Sequence, residues 1–84
     1  MKSYVLELPA GEATDLAAAG ERARTAAEQL TREGIEVRWV RSVYAPEYET
    51  CLLVFEAATP EAVDQAGRRA ALTYTRIVEG GRFS

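Results

Sequence analysis

The chain has 84 residues, of which 48% are hydrophobic and 27% charged, and its formal net charge is −3. This length predicts one domain, residues 1–84, and the composition is that of a folded protein rather than a disordered one. The acidic balance disfavours a nucleic-acid partner. The longest apolar run, Cys51 to Phe55, is far shorter than the ~20 residues of a membrane helix. No signal peptide is visible at the start, so we expect a cytoplasmic protein without a membrane partner.

The first half of the chain predicts a strand followed by a long helix. Residues 4–8 are rich in strand formers, and residues 9–11 predict a turn. Over residues 14–33 apolar side chains recur about every 3.6 positions, which predicts an amphipathic helix. Thr14 or Asp15 is its predicted cap, Gly34 its predicted end, and Leu16, Ala19, Ala23, Ala26 and Leu30 its inner stripe.

The second half predicts a hairpin, a shorter helix and a last strand. Alternating residues over 35–44 and 48–57, joined by a turn at 45–47, are typical of an antiparallel hairpin. Residues 59–71 begin with Thr-Pro-Glu, which is a typical helix start. Residues 74–78 predict the fourth strand. The inner stripe of the second helix consists of Val63, Ala66 and Ala70.

This order, β-α-β-β-α-β, predicts an α+β protein with the ferredoxin-like fold: a four-stranded antiparallel sheet with two helices on one face. The third strand is apolar on both sides, since Leu52 and Val54 alternate with Leu53 and Phe55, and Val5 adds to the second face. Because only one face has helices, we expect a homodimer through the uncovered face, a dimeric α/β barrel-like assembly. A strand bulge, or shielding by the tail, would explain the same pattern without a partner.

The catalytic inventory is thin. Histidine is absent and there is one cysteine, Cys51, so a histidine-activated nucleophile and a zinc-finger set are excluded. We therefore predict no metal site and no cofactor. Cys51 is interpreted as a small buried hydrophobe, because no neighbouring base would lower its pKa.

The candidate ligand-binding residues are Arg41, Trp39, Glu56, Tyr44 and Tyr74. Arg41 is in phase with Trp39 on an otherwise apolar strand face, where it would bind an anion or a carbonyl; alternatively, the strand has left the core by that point. Glu56 would pair with Arg38 or Arg41 across the hairpin. The two tyrosines, near strand ends, would line a pocket mouth, although tyrosine is also a common strand former.

Four short motifs indicate a family: Trp39-Val40-Arg41-Ser42, Glu56-Ala57, Thr59-Pro60-Glu61-Ala62-Val63 and Arg76-Ile77. From residue 39 to residue 77 the chain resembles a family of small actinobacterial ferredoxin-like proteins, mostly of unknown function, that includes a nickel-binding member. That resemblance implies the fold. It does not carry nickel binding over, because the family pattern has histidines at the positions of Arg41 and, nearby, Ala66, and nickel prefers imidazole. The pattern also has glycine and proline where Ala71 and Thr73 stand.

Two functions fit these features best. One is a homodimeric small-molecule-binding or pathway-accessory protein that holds an apolar organic ligand in a cavity of the fold. The other is a cofactor-free enzyme of the cyclase, isomerase or oxygenase type on the same scaffold. In that enzyme Arg41 would polarise a carbonyl, and Tyr44, Tyr74 or Glu56 would transfer a proton. A partner-docking domain and a nickel-type protein are further alternatives, so the sequence leaves open whether any reaction is catalysed.

Overall fold

A computed structural model describes residues 1–9, 15–45 and 50–80. Its elements in chain order are β1 Lys2–Pro9, α1 Leu16–Arg32, β2 Val37–Ala45, β3 Thr50–Ala57, α2 Pro60–Arg69 and β4 Arg76–Glu79. The four strands form one antiparallel sheet in the order β2-β3-β1-β4. This arrangement confirms the predicted ferredoxin-like fold. The candidate cap Thr14 and the predicted turn residues 10–11 and 46–47 lie outside the described residues.

The core lies between the sheet and the two helices. It is built from alternate residues of the central strands, which point toward the helices because side chains alternate along a strand. The helices contribute mainly alanines, which allow them to lie close to the sheet. Its buried members are Tyr4, Leu6, Leu8, Val37, Cys51, Leu53, Phe55 and Ala57 from the sheet, with Ala23, Ala27, Leu30, Ala62, Val63 and Ala66 from the helices.

Helix α1 begins and ends with the predicted local signals. The side chain of Asp15 accepts a hydrogen bond of 3.0 Å from the backbone N–H of Ala18, which satisfies one of the free donors of the first turn. At the other end the N–H of Ile35 donates to the carbonyl of Leu30 at 2.9 Å. Gly34 has a φ of 97°, a left-handed conformation that glycine adopts at little cost. The pattern is a Schellman motif, and it stops the helix before the hairpin.

Helix α2 ends with the same motif but without a glycine. The N–H of Leu72 donates to the carbonyl of Gly67, and that of Ala71 to the carbonyl of Arg68, each at 3.0 Å. Ala71 takes the left-handed position with a φ of 57°, which costs an L-residue about 1–2 kcal/mol. The helix therefore ends at Arg69, two residues before the predicted end.

Strand β2 carries a bulge that changes which side chains face the helices. Trp39 pairs with Phe55, but the register shifts at Val40, and Arg41 pairs with Val54. Paired residues of antiparallel strands share a face. Arg41 therefore lies on the face of Val54, opposite to that of Trp39, and the prediction that the two are in phase is wrong. The extra residue reverses the alternation of the rest of the strand.

The second face of the sheet has an apolar middle between two ion pairs. Val5 and Val54 pair with each other and are each 1% exposed in the single chain. On one side Arg38 pairs with Glu56, and on the other Nε of Arg76 lies 2.5 Å from Oε2 of Glu7. The two central valines are thus buried without a second subunit. In the described residues, no helix is both long and apolar enough to cross a membrane.

Candidate functional site

An open groove between α1 and the edge strand β2 has Trp39 at its centre. On one side of the indole lies a cavity of about 860 Å³, bordered by Arg24, Thr31 and Arg38 among others. On the other side lies a cavity of about 480 Å³, which we call the Trp39–Ser42 cavity. It is lined by Leu16, Ala17, Gly20, Trp39 and Ser42, with Glu21 and Arg41 at its border. Because Trp39 lines both, movement of its ring changes the shape of the whole groove.

Gly20 brings α1 close to β2 at this cavity. A Cβ atom at this position would lie 2.9 Å from Oγ of Ser42 and 3.2 Å from Cζ2 of Trp39. The first distance is shorter than a van der Waals contact, so a side chain would displace its neighbours. Glycine at residue 20 therefore sets the distance between the helix and the strand.

Two polar atoms at this contact have no hydrogen-bond partner. Nε1 of Trp39 and Oγ of Ser42 are both buried, and neither makes a hydrogen bond within the described structure. The indole N–H is a donor only, whereas a hydroxyl both donates and accepts. A buried polar group left unpaired costs roughly 1–3 kcal/mol. Both atoms belong to residues that line the Trp39–Ser42 cavity, so a ligand group that reached them would meet unused hydrogen-bonding capacity dominated by donors.

Thr31 fixes the start of β2 beside the larger cavity. Its hydroxyl donates to the carbonyl of Val37 at 2.8 Å and accepts from the N–H of the same residue at 3.4 Å. An edge strand exposes backbone groups on one side, and Thr31 satisfies both groups at this residue. The helix therefore holds the groove wall through a side chain as well as through packing.

The sequence-predicted residues on β2 remain near the groove. Trp39 is half-buried and packs against the core, while Arg41 is exposed and borders the Trp39–Ser42 cavity. Tyr44 is 56% exposed and pairs with Cys51 near the end of the strand. Of these three, only Trp39 and Arg41 border the same cavity.

The other two candidates lie elsewhere. The hydroxyl of Tyr74 donates to Oδ1 of Asp64 on α2, beside β4 and so at the opposite edge of the sheet. Glu56 pairs with Arg38 on the second face, which confirms one of the two pairings predicted for it. Neither side chain shares the groove with Trp39, so the five candidates do not form one site.

Ser42, Gly20 and Thr31 are the groove residues that the sequence does not reveal. Ser42 faces the helix because the bulge precedes it, and an alternating pattern without a bulge places it on the other face. The only sequence signal at Gly20 is a glycine inside a helical stripe. It indicates that another element packs closely against the helix there, but it does not indicate that this element is β2.

Cys51 has no reactive environment. It is 2% exposed, and burial raises the pKa of its thiol, so the neutral form predominates at neutral pH. This confirms its interpretation as a buried hydrophobe. A protonated thiol is a poor nucleophile and a poor metal ligand.

Comparison with known proteins gives one family and one structure. The family model described as "Nickel responsive protein SCO4226-like" matches residues 4–79. The crystal structure of SCO4226 from Streptomyces coelicolor A3(2) is similar with a TM-score of 0.67 and 20% sequence identity, over 94% of this chain and 95% of that one. A comparison with curated proteins finds no match. The structural likeness supports the fold.

The donor set does not fit nickel. Nickel favours imidazole nitrogen, but the whole sequence contains no histidine. In the described part of the chain, no three cysteine or carboxylate side chains are grouped so as to hold a metal ion. The one thiol is the buried Cys51, so nothing in the groove supplies a nickel site.

Proposed function

The chain belongs to the nickel responsive protein SCO4226-like family, and from that premise we propose that it is a homodimeric binding protein for a small organic ligand rather than a nickel carrier. The ligand occupies the groove between α1 and β2. We do not propose nickel as the ligand, because the chain keeps the family fold but contains no histidine, whose imidazole nickel favours.

The observation that carries this proposal is the pair of buried, unpartnered polar atoms at the groove. Binding sites for organic molecules are concave and mostly apolar, with a few polar groups that orient the ligand. The cavity beside Trp39 and Ser42 has these features: an apolar wall from Leu16 and Ala17, an aromatic side and two polar atoms. Buried polar groups in proteins are nearly always hydrogen-bonded. A ligand that accepts a hydrogen bond would explain why the buried N–H of Trp39 has no partner in the described structure.

The second face of the sheet supports a homodimer by its composition. Leu52 and Val78 are half-buried and Val43 is exposed, so apolar surface continues beyond the buried centre. The two ion pairs beside it each carry both signs of charge. Two copies therefore bring together apolar surface and balanced charge, which avoids like-charge repulsion. The apolar surface available to a second copy is that of the side chains around Val5 and Val54, two residues that are already covered in the single chain.

Native mass spectrometry of protein purified without added metal or chelator tests the proposal. The expected species is a dimer with an added mass of hundreds of daltons, and the same sample under denaturing conditions gives the bare chain. An added mass of tens of daltons that matches nickel would contradict the proposal. A bare monomer would contradict the homodimer, and ligand binding would then rest on titration with small organic probes.

A further inference from the structure

We propose that the ligand of the Trp39–Ser42 cavity is a neutral organic molecule with an apolar body and a carbonyl oxygen, which accepts hydrogen bonds from Nε1 of Trp39 and Oγ of Ser42. This inference rests on the proposed binding function and specifies its ligand class.

The requirement for an acceptor follows from the indole. Nε1 of Trp39 can only donate, so its partner must be an acceptor. Oγ of Ser42 donates as well, and both side chains contact the position that a Cβ of residue 20 would take. A carbonyl oxygen has two lone pairs and accepts two hydrogen bonds, so one such atom can satisfy both buried groups. A hydrocarbon of the same shape would leave both polar groups buried without a partner, which is unfavourable.

The charge and the size of the cavity define the rest of the molecule. Glu21 and Arg41 are the two charged residues among those that line the cavity, and their charges are opposite. The cavity therefore offers no net charge to select an ion. Its volume of about 480 Å³ is in the range of sites for small organic ligands. The apolar walls favour a ring or a short chain.

The single tryptophan provides the readout. Because the chain has one indole N–H, a ¹⁵N–¹H spectrum shows one indole resonance, and its shift reports the hydrogen bond of Trp39 directly. The probes are acetophenone and ethylbenzene, which differ by a carbonyl in place of a methylene group. Acetophenone is expected to move the indole resonance saturably, whereas ethylbenzene leaves its hydrogen-bond shift unchanged.

Two substitutions localise the effect. Ser42→Ala removes one donor and is expected to weaken acetophenone binding by about threefold to tenfold, in line with one net hydrogen bond, without changing ethylbenzene binding. Gly20→Ala places a methyl group against Oγ of Ser42 and the indole ring of Trp39 and should abolish acetophenone binding. The matched control is Ser3→Ala, since Ser3 pairs with Glu56 on the second face. It should bind both probes like the unsubstituted protein.

The outcomes separate this inference from the proposed function. Equal affinity for both probes, lost in Gly20→Ala, would overturn the carbonyl class while leaving an organic-ligand cavity in place. No saturable response to either probe, together with a bare protein in the native mass spectrum, would overturn both. If Ser42→Ala bound acetophenone as tightly as the unsubstituted protein, the assignment of Ser42 as a donor would be wrong.

Discussion

The phenol ring of Tyr74 occupies the space that a side chain on Gly67 would need. A Cβ atom on residue 67 would lie 2.8 Å from the nearest ring carbon of Tyr74, and 3.4 Å from a methyl carbon of Leu6. The ring is also held at its far end, because the Tyr74 hydroxyl donates to Asp64. Asp64 in turn lies 3.0 Å from Nε of Arg68. The glycine and the tyrosine together fix α2 against the edge of the sheet.

Gly67→Ala is therefore expected to destabilise the protein by about 1–3 kcal/mol, since overpacking of a close contact outweighs the better helix propensity of alanine. Urea denaturation followed by circular dichroism measures this. Gln65→Ala, on an exposed position of the same helix, should stay within about 0.5 kcal/mol of the unsubstituted protein. A Gly67→Ala protein as stable as that control would mean that Tyr74 moves aside without cost.

Ala71→Gly should stabilise the protein by about 1 kcal/mol, because glycine relieves the left-handed strain at the end of α2. The hydrogen bonds of the motif involve backbone groups and are kept. The readout is the urea midpoint at unchanged slope. Gln65→Gly, which places glycine inside the same helix, should do the opposite and cost roughly 0.5–1 kcal/mol. A lower midpoint for Ala71→Gly would show that the positive φ carries no strain.

The ion pair between Glu33 and Arg69 should make stability depend on pH in the acid range. Hydrogen bonds from Arg69 link the end of α1 to α2 and hold the pKa of Glu33 below its ordinary value of 4.5. A lowered folded-state pKa stabilises the fold above the ordinary pKa, and this contribution is lost as the pH falls through the folded-state value.

Glu33→Gln should remove this contribution. Its urea midpoint is expected to be lower than that of the unsubstituted protein at pH 7, and the two should converge as the pH falls below the ordinary pKa of 4.5. Because the pair is exposed, the difference is small and shrinks with added salt. Glu36→Gln is the control, since Glu36 makes no ion pair in the described part of the chain. A constant difference at every pH would assign the effect to something other than ionisation.

Nickel should bind weakly and without defined stoichiometry. A calorimetric titration of untagged protein with Ni²⁺ at neutral pH is expected to show no saturable site, because imidazole is absent and the thiol of Cys51 is buried and protonated. Cys51→Ala should give the same result. A saturable site with one ion per chain or per dimer would contradict the organic-ligand proposal and place the ligands among carboxylates.

The sequence predicts the fold well because local signals and hydrophobic periods agree. The cap at Asp15, the end at Gly34 and the inner stripes of both helices are confirmed. The candidate site is predicted less well, and the reason is the bulge at Val40. A bulge depends on how two strands pair, and although apolar Val40 interrupts the alternation of residues 35–44, that interruption alone does not specify a bulge. The prediction for Arg41, which follows the bulge, therefore places it on the wrong face.

Tyr74 shows a second limit of sequence reasoning. Its position near a strand end predicts that it lines a pocket mouth, but its hydroxyl donates to Asp64, ten residues earlier on α2. Such a pairing depends on where the helix lies relative to the last strand. The partner of Glu56 is easier to predict from the sequence, because Arg38 lies opposite it in a hairpin whose register is set locally.

The bulge at Val40 shifts the inward and outward alternation of every later residue in β2 by one position. Before it, odd-numbered residues such as Val37 and Trp39 face the helices, and after it the even-numbered Ser42 does. Removing this one residue while the turn is kept would exchange inner and outer positions along a single segment of the strand. A substitution at an odd-numbered position of β2 therefore affects the helix-facing side before the bulge and the opposite face after it. Deleting one residue would change more groove-lining side chains than any single substitution.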